Sequence, residues 1–240
     1  MIKSIAGCFM GVLVFLGTVG LAFADAKSYV WTYEYQTLSK GMAEVEYWLT
    51  AQVPDSKESN VNTWQHWLEL EYGITDHWDV SLYQMLKHNN TASSVTSEYD
   101  GFKIETRYRL GERGKFFVDP LLYLEYKRDA DVSIPNVGEA KLILAKDIGN
   151  FNISYNQIIE RNLESKGRPE HEYALGAGYA FFPSVRGSVE LKGSYTEHES
   201  ALGPSLSWVN SKFWVTLGAV FGLNKKTDDV QARMIVGVSF

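Results

Sequence analysis

The sequence predicts an all-β protein, a transmembrane antiparallel up-and-down β-barrel of about twelve strands. Three observations predict this fold. Apolar and polar residues alternate along most of the chain after residue 42, as in strands whose two faces meet different environments. No stretch after Ala24 approaches the about 18 consecutive apolar residues of a transmembrane helix. Aromatic residues make up 14% of the chain and cluster near the ends of the predicted strands, as in membrane girdles.

Residues 1–24 have the features of a secretory signal peptide. Lys3 supplies a positive charge, residues 5–23 are apolar or small, and Ala22-Phe23-Ala24 has the form of a cleavage site. We therefore predict cleavage after Ala24, with a membrane anchor as the alternative. Cys8 is the only cysteine and leaves with this peptide, so the mature chain is expected to contain no disulfide.

Residues 42–240 form the predicted barrel domain, because the alternation recurs there in twelve segments. In the first segment Ala43, Val45 and Tyr47 share one face, and Glu44 and Glu46 share the other. The tenth segment is the shortest and has the weakest pattern. In order, the predicted strands are Met42–Val53, Val61–Gly73, His77–Lys87, Glu98–Leu110, Phe116–Lys127, Val137–Asp147, Phe151–Arg161, Glu170–Phe181, Val185–Tyr195, Gly203–Trp208, Phe213–Leu223 and Val230–Phe240.

The connections between the predicted strands alternate between tight turns and longer polar loops. The tight turns are 74–76, 111–114, 148–150, 182–184 and 210–212, and the longer loops are 54–60, 88–96, 128–135, 162–169, 196–202 and 224–229. Outer-membrane barrels have short periplasmic turns and longer extracellular loops. With an even number of strands both ends of the barrel lie in the periplasm, so the strand count and the loop pattern agree.

Residues 25–41 lie between the predicted signal peptide and the barrel. Tyr29–Gln36 alternates as well, but a thirteenth strand would break the even count. We therefore predict that this segment is either a periplasmic lead or a stretch of chain inside the lumen.

The sequence ends on an apolar strand with a terminal aromatic residue. Val236, Val238 and Phe240 share one face, and Arg233 and Ser239 share the other. This ending resembles the C-terminal strand of Gram-negative outer-membrane barrels, in which the final Phe marks the chain for assembly. The resemblance implies that the protein lies in the outer membrane of a Gram-negative bacterium, contacts its lipid, and is recognised by the barrel-assembly machinery through Phe240.

Three stretches of the N-terminal third resemble an uncharacterised family of small proteobacterial outer-membrane barrels, transporter-like or porin-like. They are Tyr33–Gly41 (YEYQTLSKG), Glu44–Trp48 (EVEYW) and Leu70–Val80 (LEYGITDHWDV). The resemblance implies the fold and the location. It carries no substrate and no catalytic residue.

Charged residues recur on the strand face opposite the apolar one. We predict that this face lines the lumen, where an acidic wall facing a basic one would orient dipolar solutes. The alternative is an ion-pair network that fills a narrow barrel. The predicted lumen-lining residues are Glu44, Glu46, Glu69, Glu71, Asp79, Lys103, Glu105, Arg107, Arg109, Glu125, Lys127, Lys141, Arg186, Glu190, Lys192 and Arg233.

The sequence predicts no catalytic residue, metal site or cofactor. His198-Glu199-Ser200 has the spacing of the His-x-Ser pair of outer-membrane lipases, but it lies in a predicted loop without an orienting partner. No two histidines have metal-ligand spacing on one face. The formal net charge of −6 argues against nucleic acid as a partner.

The leading functional prediction is passive passage of small polar solutes through a charged lumen. The first alternative is a non-conducting structural or partner-docking barrel. A lipid-modifying outer-membrane enzyme is the third possibility.

Overall fold

The computed structural model describes residues 26–240, so the predicted signal peptide and its cleavage at Ala24 lie outside the described residues. Within residues 26–240 twelve strands pair antiparallel in sequence order, and β12 pairs with β1 to close the barrel. The predicted all-β up-and-down barrel is thereby confirmed. The strands are β1 Ala43–Val53, β2 Asn62–Thr75, β3 Trp78–Asn90, β4 Val95–Arg109, β5 Asp119–Asp129, β6 Val137–Ile148, β7 Phe151–Asn162, β8 Glu170–Phe182, β9 Val185–Ser194, β10 Glu199–Val209, β11 Phe213–Gly222 and β12 Val230–Ser239.

The connections divide between the two ends of the barrel. The loop end carries the connections 54–61, 91–94, 130–136, 163–169, 195–198 and 223–229, and the turn end carries 76–77, 110–118, 149–150, 183–184 and 210–212. Ala43 and Phe240 lie at the turn end and exchange backbone hydrogen bonds of 3.3 and 2.8 Å. A short 3-10 helix, Ser56–Glu58, interrupts the first loop. None of the helices in the described part of the chain is long and apolar enough to cross a membrane.

Three strands begin three or four residues from the predicted position, and the first of them, β4, begins at Val95 and not at Glu98. β10 begins at Glu199 and not at Gly203, and it pairs with β9 through Pro204. The sequence signal is weak there because proline has no N–H to donate and glycine has no side chain to pack. β5 begins at Asp119 and not at Phe116. The Asp119 carboxylate accepts backbone hydrogen bonds from Gly114 (2.7 Å) and Phe116 (3.4 Å), which hold residues 110–118 as a connection.

The outer face of the barrel carries an apolar band between aromatic residues. Leu68 and Leu124 are 53% and 59% exposed. Exposed aromatic side chains lie near the ends of the strands, for example Tyr72 and Trp78 near the turn end and Trp64 near the loop end. An exposed apolar surface of this extent is the outer surface of a membrane barrel.

Residues 26–41 are here called the N-terminal segment, and residues 27–38 of it lie inside the barrel. The segment starts at the turn end, where Ala26 faces Val185 and Val209 across a cavity. It rises to an apex at Trp31–Tyr33 and returns to the turn end, where Gly41 N donates to Gly73 O at 2.8 Å.

The segment packs against two apolar clusters on the inner wall. Val30 packs with Trp48, Tyr83, Met85, Trp214 and Ile235. Tyr35 packs with Leu121, Tyr123, Ile143 and Ala145. The inner face is therefore polar only in part, and burial of these side chains favours the docked position of the segment.

Candidate functional site in the barrel lumen

The charged residues that the sequence assigns to the lumen all lie on the inner face, in two zones. The partly exposed ones lie at the turn-end rim (Arg109, Arg186) or towards the loop end (Glu125, Lys127, Lys141, Lys192, Arg233). The remaining ones are buried: Glu44, Glu46, Glu69, Glu71, Asp79, Lys103, Glu105, Arg107 and Glu190.

Arg107 on β4 is the centre of a buried ion-pair network. Its guanidinium donates to Asp79 from Nε (3.1 Å) and Nη2 (2.8 Å), and Nη2 also donates to Glu71. Glu105 Oε1 lies 3.5 Å from Nε. The planar guanidinium suits this arrangement because it donates to several carboxylates at once. The charges thus pair locally between neighbouring strands.

Lys27 of the N-terminal segment adds a second buried cation. Its Nζ lies 2.5 Å from Glu46 Oε1, and it stands over the rings of Trp48 and Trp214 at 5.4 and 5.6 Å. Burial lowers the pKa of the Lys27 ammonium, but the nearby carboxylates, Glu46 first among them, raise it by more. The net shift of the pKa is upward, so Lys27 stays charged at neutral pH.

The carboxylate of Glu190 on β9 binds the apex of the segment. It accepts three consecutive backbone hydrogen bonds, from Val30 N (2.9 Å), Trp31 N (2.8 Å) and Thr32 N (2.9 Å). Consecutive N–H groups that converge on one anion form a strong, charge-assisted contact. Glu190 therefore fixes the height of the apex in the lumen.

Side-chain amides on β7 hold the rest of the apex. Asn156 accepts from Tyr33 N at 2.7 Å and donates to Tyr33 O at 2.9 Å, as a strand neighbour would. Tyr29 donates to Asn152 Oδ1 at 2.8 Å. These contacts satisfy backbone groups that would be buried without partners in a segment that forms no strand.

A further ion pair secures the segment near the turn end. Glu34 Oε2 accepts from Ser28 N at 2.6 Å, and Glu34 Oε1 lies 3.3 Å from Nη1 of Arg186. Burial raises the pKa of the Glu34 carboxyl, against the opposing effects of the Ser28 hydrogen bond and the Arg186 charge. Leu38 N donates to Asp79 at 3.0 Å on the returning limb.

A cavity of about 250 Å³ lies above the apex, towards the loop end. Trp31 and Tyr33 of the segment line it together with the charged residues of the loop-end half of the lumen. Cations of the wall stand over aromatic rings: Arg233 lies 3.9 Å and Lys192 4.3 Å from the Trp31 ring, and Lys141 lies 4.2 Å from the Tyr33 ring. Such contacts hold a cation against an apolar surface while it stays accessible to water.

The predicted lumen-lining residues did not include the inward tryptophans, although the alternation placed Trp48 on the polar face of β1. Trp48 and Trp214 are buried in the lumen and donate to Glu69 (2.9 Å) and Glu44 (3.1 Å). A Cβ on Gly176 would lie 2.6 Å from the Tyr29 ring, so only a glycine leaves room for that ring. The available signal was a large aromatic residue on an otherwise polar strand face, as at Trp48.

The His-x-Ser spacing does not form a catalytic pair. His198 occupies a turn with φ of 60°, and Ser200 belongs to β10. Asn224 Nδ2 donates to the backbone oxygen of His198 (3.0 Å) and to Ser200 Oγ (3.2 Å). Within residues 26–240, no hydrogen bond joins the His198 ring to the Ser200 hydroxyl.

Solved structures with a similar fold are outer-membrane channels and porins. An outer-membrane channel from Pseudomonas putida F1 has a TM-score of 0.56 and 11% identity, over 88% of this chain and 100% of that chain. The KdgM porin, in complex with disordered oligogalacturonate, has a TM-score of 0.55 and 12% identity, over 82% and 98%. The NanC porin has a TM-score of 0.51 and 12% identity, over 82% and 98%. No family model matches the sequence, and no curated protein sequence matches it.

The chain thus has the fold of porin-like barrels of the Gram-negative outer membrane. Its outer apolar band and terminal aromatic residues agree with that fold. The predicted porin-like barrel fold is therefore confirmed.

Proposed function

We propose that this outer-membrane barrel is a passive, porin-like channel for small polar solutes, with the charged inner face as its selective lining. The observation that carries the proposal is the charged cavity at the loop end, whose volume is about 250 Å³. Drug-sized ligands occupy pockets of roughly 300–1,000 Å³, so this cavity suits a small solute.

The composition of the cavity wall supports a polar solute. The wall presents Lys127, Lys141 and Lys192 together with Glu125 and Glu160. Rings of charged side chains select permeating species by their charge. A wall that carries both signs favours dipolar or charged solutes over apolar ones.

Passage requires the N-terminal segment to move, because it occupies the turn-end half of the lumen. Polar contacts supply many of its links to the wall, Glu190 and Asn156 foremost among them. Water can replace neutral contacts such as those of Asn156 at a modest net cost, and the charge-assisted contacts of Glu190 at a larger one, since protein hydrogen bonds exchange with bonds to water. The conformation with the docked segment is therefore the closed state of the proposed channel.

The docked segment also favours a second candidate function, a non-conducting structural barrel. Tyr29 and Tyr35 are 1% and 0% exposed, and both lie in the lumen. A lumen filled in this way conducts nothing unless the segment leaves. Conductance measurements separate the two candidates.

The test is single-channel conductance of the refolded mature chain in planar bilayers, for the wild type and for Glu190→Ala. Loss of the three backbone hydrogen bonds should free the apex, so Glu190→Ala should show larger or longer openings than the wild type. Glu172→Ala is the matched control, because Glu172 lines the cavity and is not among the Glu190 contacts. It should keep wild-type gating.

Ion selectivity provides the second readout. Lys141→Gln/Lys192→Gln removes two positive charges from the cavity wall and should shift the channel towards cations. A folded, inserted barrel that stays silent in the wild type and in Glu190→Ala would reject the channel and favour the structural barrel.

A further inference from the structure

Four glutamates form a square on the inner face of β1 and β2. Glu44 lies directly opposite Glu71, and Glu46 lies directly opposite Glu69. All four side chains are buried, at 0–2% exposure. Like charges in directly opposed positions of a sheet repel each other. The square therefore requires compensation by positive charge, and Arg107 supplies part of it through its ion pair with Glu71.

Three of these carboxylates converge on one point. One oxygen each of Glu46, Glu69 and Glu71 lies within 4.8 Å of the other two. Glu44 has other partners, because it accepts hydrogen bonds from Trp214 Nε1 (3.1 Å) and from the Ser239 hydroxyl. We call Glu46, Glu69 and Glu71 the carboxylate cage.

The docked N-terminal segment supplies a cation that satisfies the cage only in part. Lys27 Nζ binds Glu46 Oε1. Glu46 Oε2 and Glu69 Oε1 remain without a hydrogen-bond partner among residues 26–240, although both side chains are buried. A buried charged oxygen without a partner is unfavourable. A cation that takes the place of the Lys27 ammonium could use these two oxygens and bind more than one carboxylate.

We propose that the carboxylate cage is a divalent-cation site of the Ca²⁺ type, and that the cation and the Lys27 ammonium compete for it. Hard divalent cations take carboxylate oxygens as ligands, and Ca²⁺ accepts them in flexible geometry. Two positive charges offset the cage better than the single charge of Lys27. The cation can therefore replace Lys27 when the segment leaves.

This competition couples the cation to the position of the N-terminal segment. A ligand that binds only the undocked state shifts the population towards that state. Docking of the segment lowers the affinity for that ligand by the same factor. Divalent cations would thus favour release of the segment. Only the consequence for conductance rests on the proposed function, since binding itself requires no passage of solute.

Terbium luminescence tests the binding step. Tb³⁺ is an oxygen-seeking stand-in for Ca²⁺, and the Trp48 indole, 2.9 Å from Glu69 Oε2, should sensitise its emission. In the refolded mature chain, Lys27→Ala should tighten Tb³⁺ binding by about tenfold or more, because the docked segment no longer occupies the cage. Lys40→Ala, at an exposed lysine of the same segment, should bind as the wild type does. Excess Ca²⁺ should displace the emission.

Glu46→Gln/Glu69→Gln in the Lys27→Ala background should abolish the emission while the barrel stays heat-modifiable on gels. Emission that is equal in the wild type and in Lys27→Ala, or that survives the double glutamine substitution, overturns the proposal. A barrel that never conducts but shows the expected emission would reject the channel and leave the cation site standing.

Discussion

Single residues in the lumen combine charge and burial in a way that makes their partners indispensable. Arg107 is 2% exposed and contacts the carboxylates of Glu71, Asp79 and Glu105. A buried ion pair adds little net stability relative to apolar side chains, yet removal of one partner leaves an uncompensated buried charge. The effect of a substitution therefore depends on whether it leaves a buried charge without a partner.

Arg107→Ala should destabilise the barrel by about 3–5 kcal/mol, because it leaves buried carboxylates without their cation. Urea unfolding of the protein in detergent, followed by tryptophan fluorescence, measures the change. Arg168→Ala, at an exposed arginine of the loop 163–169, is the control and should be neutral. Equal stability of the two variants would show that the Arg107 network is not structural.

The N-terminal segment is the element on which the proposed opening and closing of the lumen depends. It forms no strand, and its position is set by contacts with many strands, including β1, β7 and β9. Its fit also requires small residues on the wall, since Tyr29 lies directly against Gly176 of β8. A larger side chain there acts on the segment and leaves the strand pairing in place.

Gly176→Val should displace Tyr29, break its hydrogen bond to Asn152, and loosen the segment, because even a Cβ would lie 2.6 Å from the Tyr29 ring. Hydrogen exchange with mass spectrometry should show lost protection of residues 28–34 and unchanged protection of the strands. Ala177→Val places the same change on the outer face, where Ala177 is exposed, and should leave the segment protected. If residues 28–34 are equally protected from exchange in both variants, Tyr29 does not anchor the segment.

At the scale of the whole molecule, the barrel separates two solvents. Leu68 lies about midway between the exposed aromatic residues Trp64 and Tyr72 on β2, with its neighbours Trp67 and Glu69 facing the lumen. The alternation along a strand thus places lipid on one side and water or protein on the other. A charge on the lipid side destabilises the barrel, and the cost is largest near the bilayer midplane.

Leu68→Arg should cost about 2–4 kcal/mol of folding free energy in lipid, the range for arginine near the bilayer midplane. Reversible unfolding in liposomes measures it. Ser93→Arg, in the exposed loop 91–94, should cost little. A small cost at Leu68 would mean that this part of the outer face does not meet the hydrocarbon core.

Much of the fold was predictable from local pattern alone. A period of two along twelve segments, and tight turns between pairs of them, define strands and their order, because neighbouring antiparallel strands need only short connections. The same period assigned charges such as Glu69 and Arg107 to one face. The alternation did not predict the start of β10, because Gly203 and Pro204 interrupt the pattern. Pairing with the neighbouring strands stabilises β10 there.

Other features depend on contacts between residues far apart in sequence. The bulge at Gly101, with φ of 116°, shifts the β3–β4 register so that Leu86 pairs with Tyr99. Tyr99 consequently faces outward, where it donates to Gln84 at 2.7 Å. No period read from β4 alone predicts this change of face.

The sequence by itself determined the barrel, its twelve strands and the face on which its charges lie, because alternation is a property of each strand alone. Only the tertiary structure decided that residues 27–38 occupy the lumen and that Lys27 contacts Glu46. It also decided that Glu190 binds the apex of the segment. The physical reason is that these contacts join residues up to about 160 positions apart, and closure of the barrel alone brings them together.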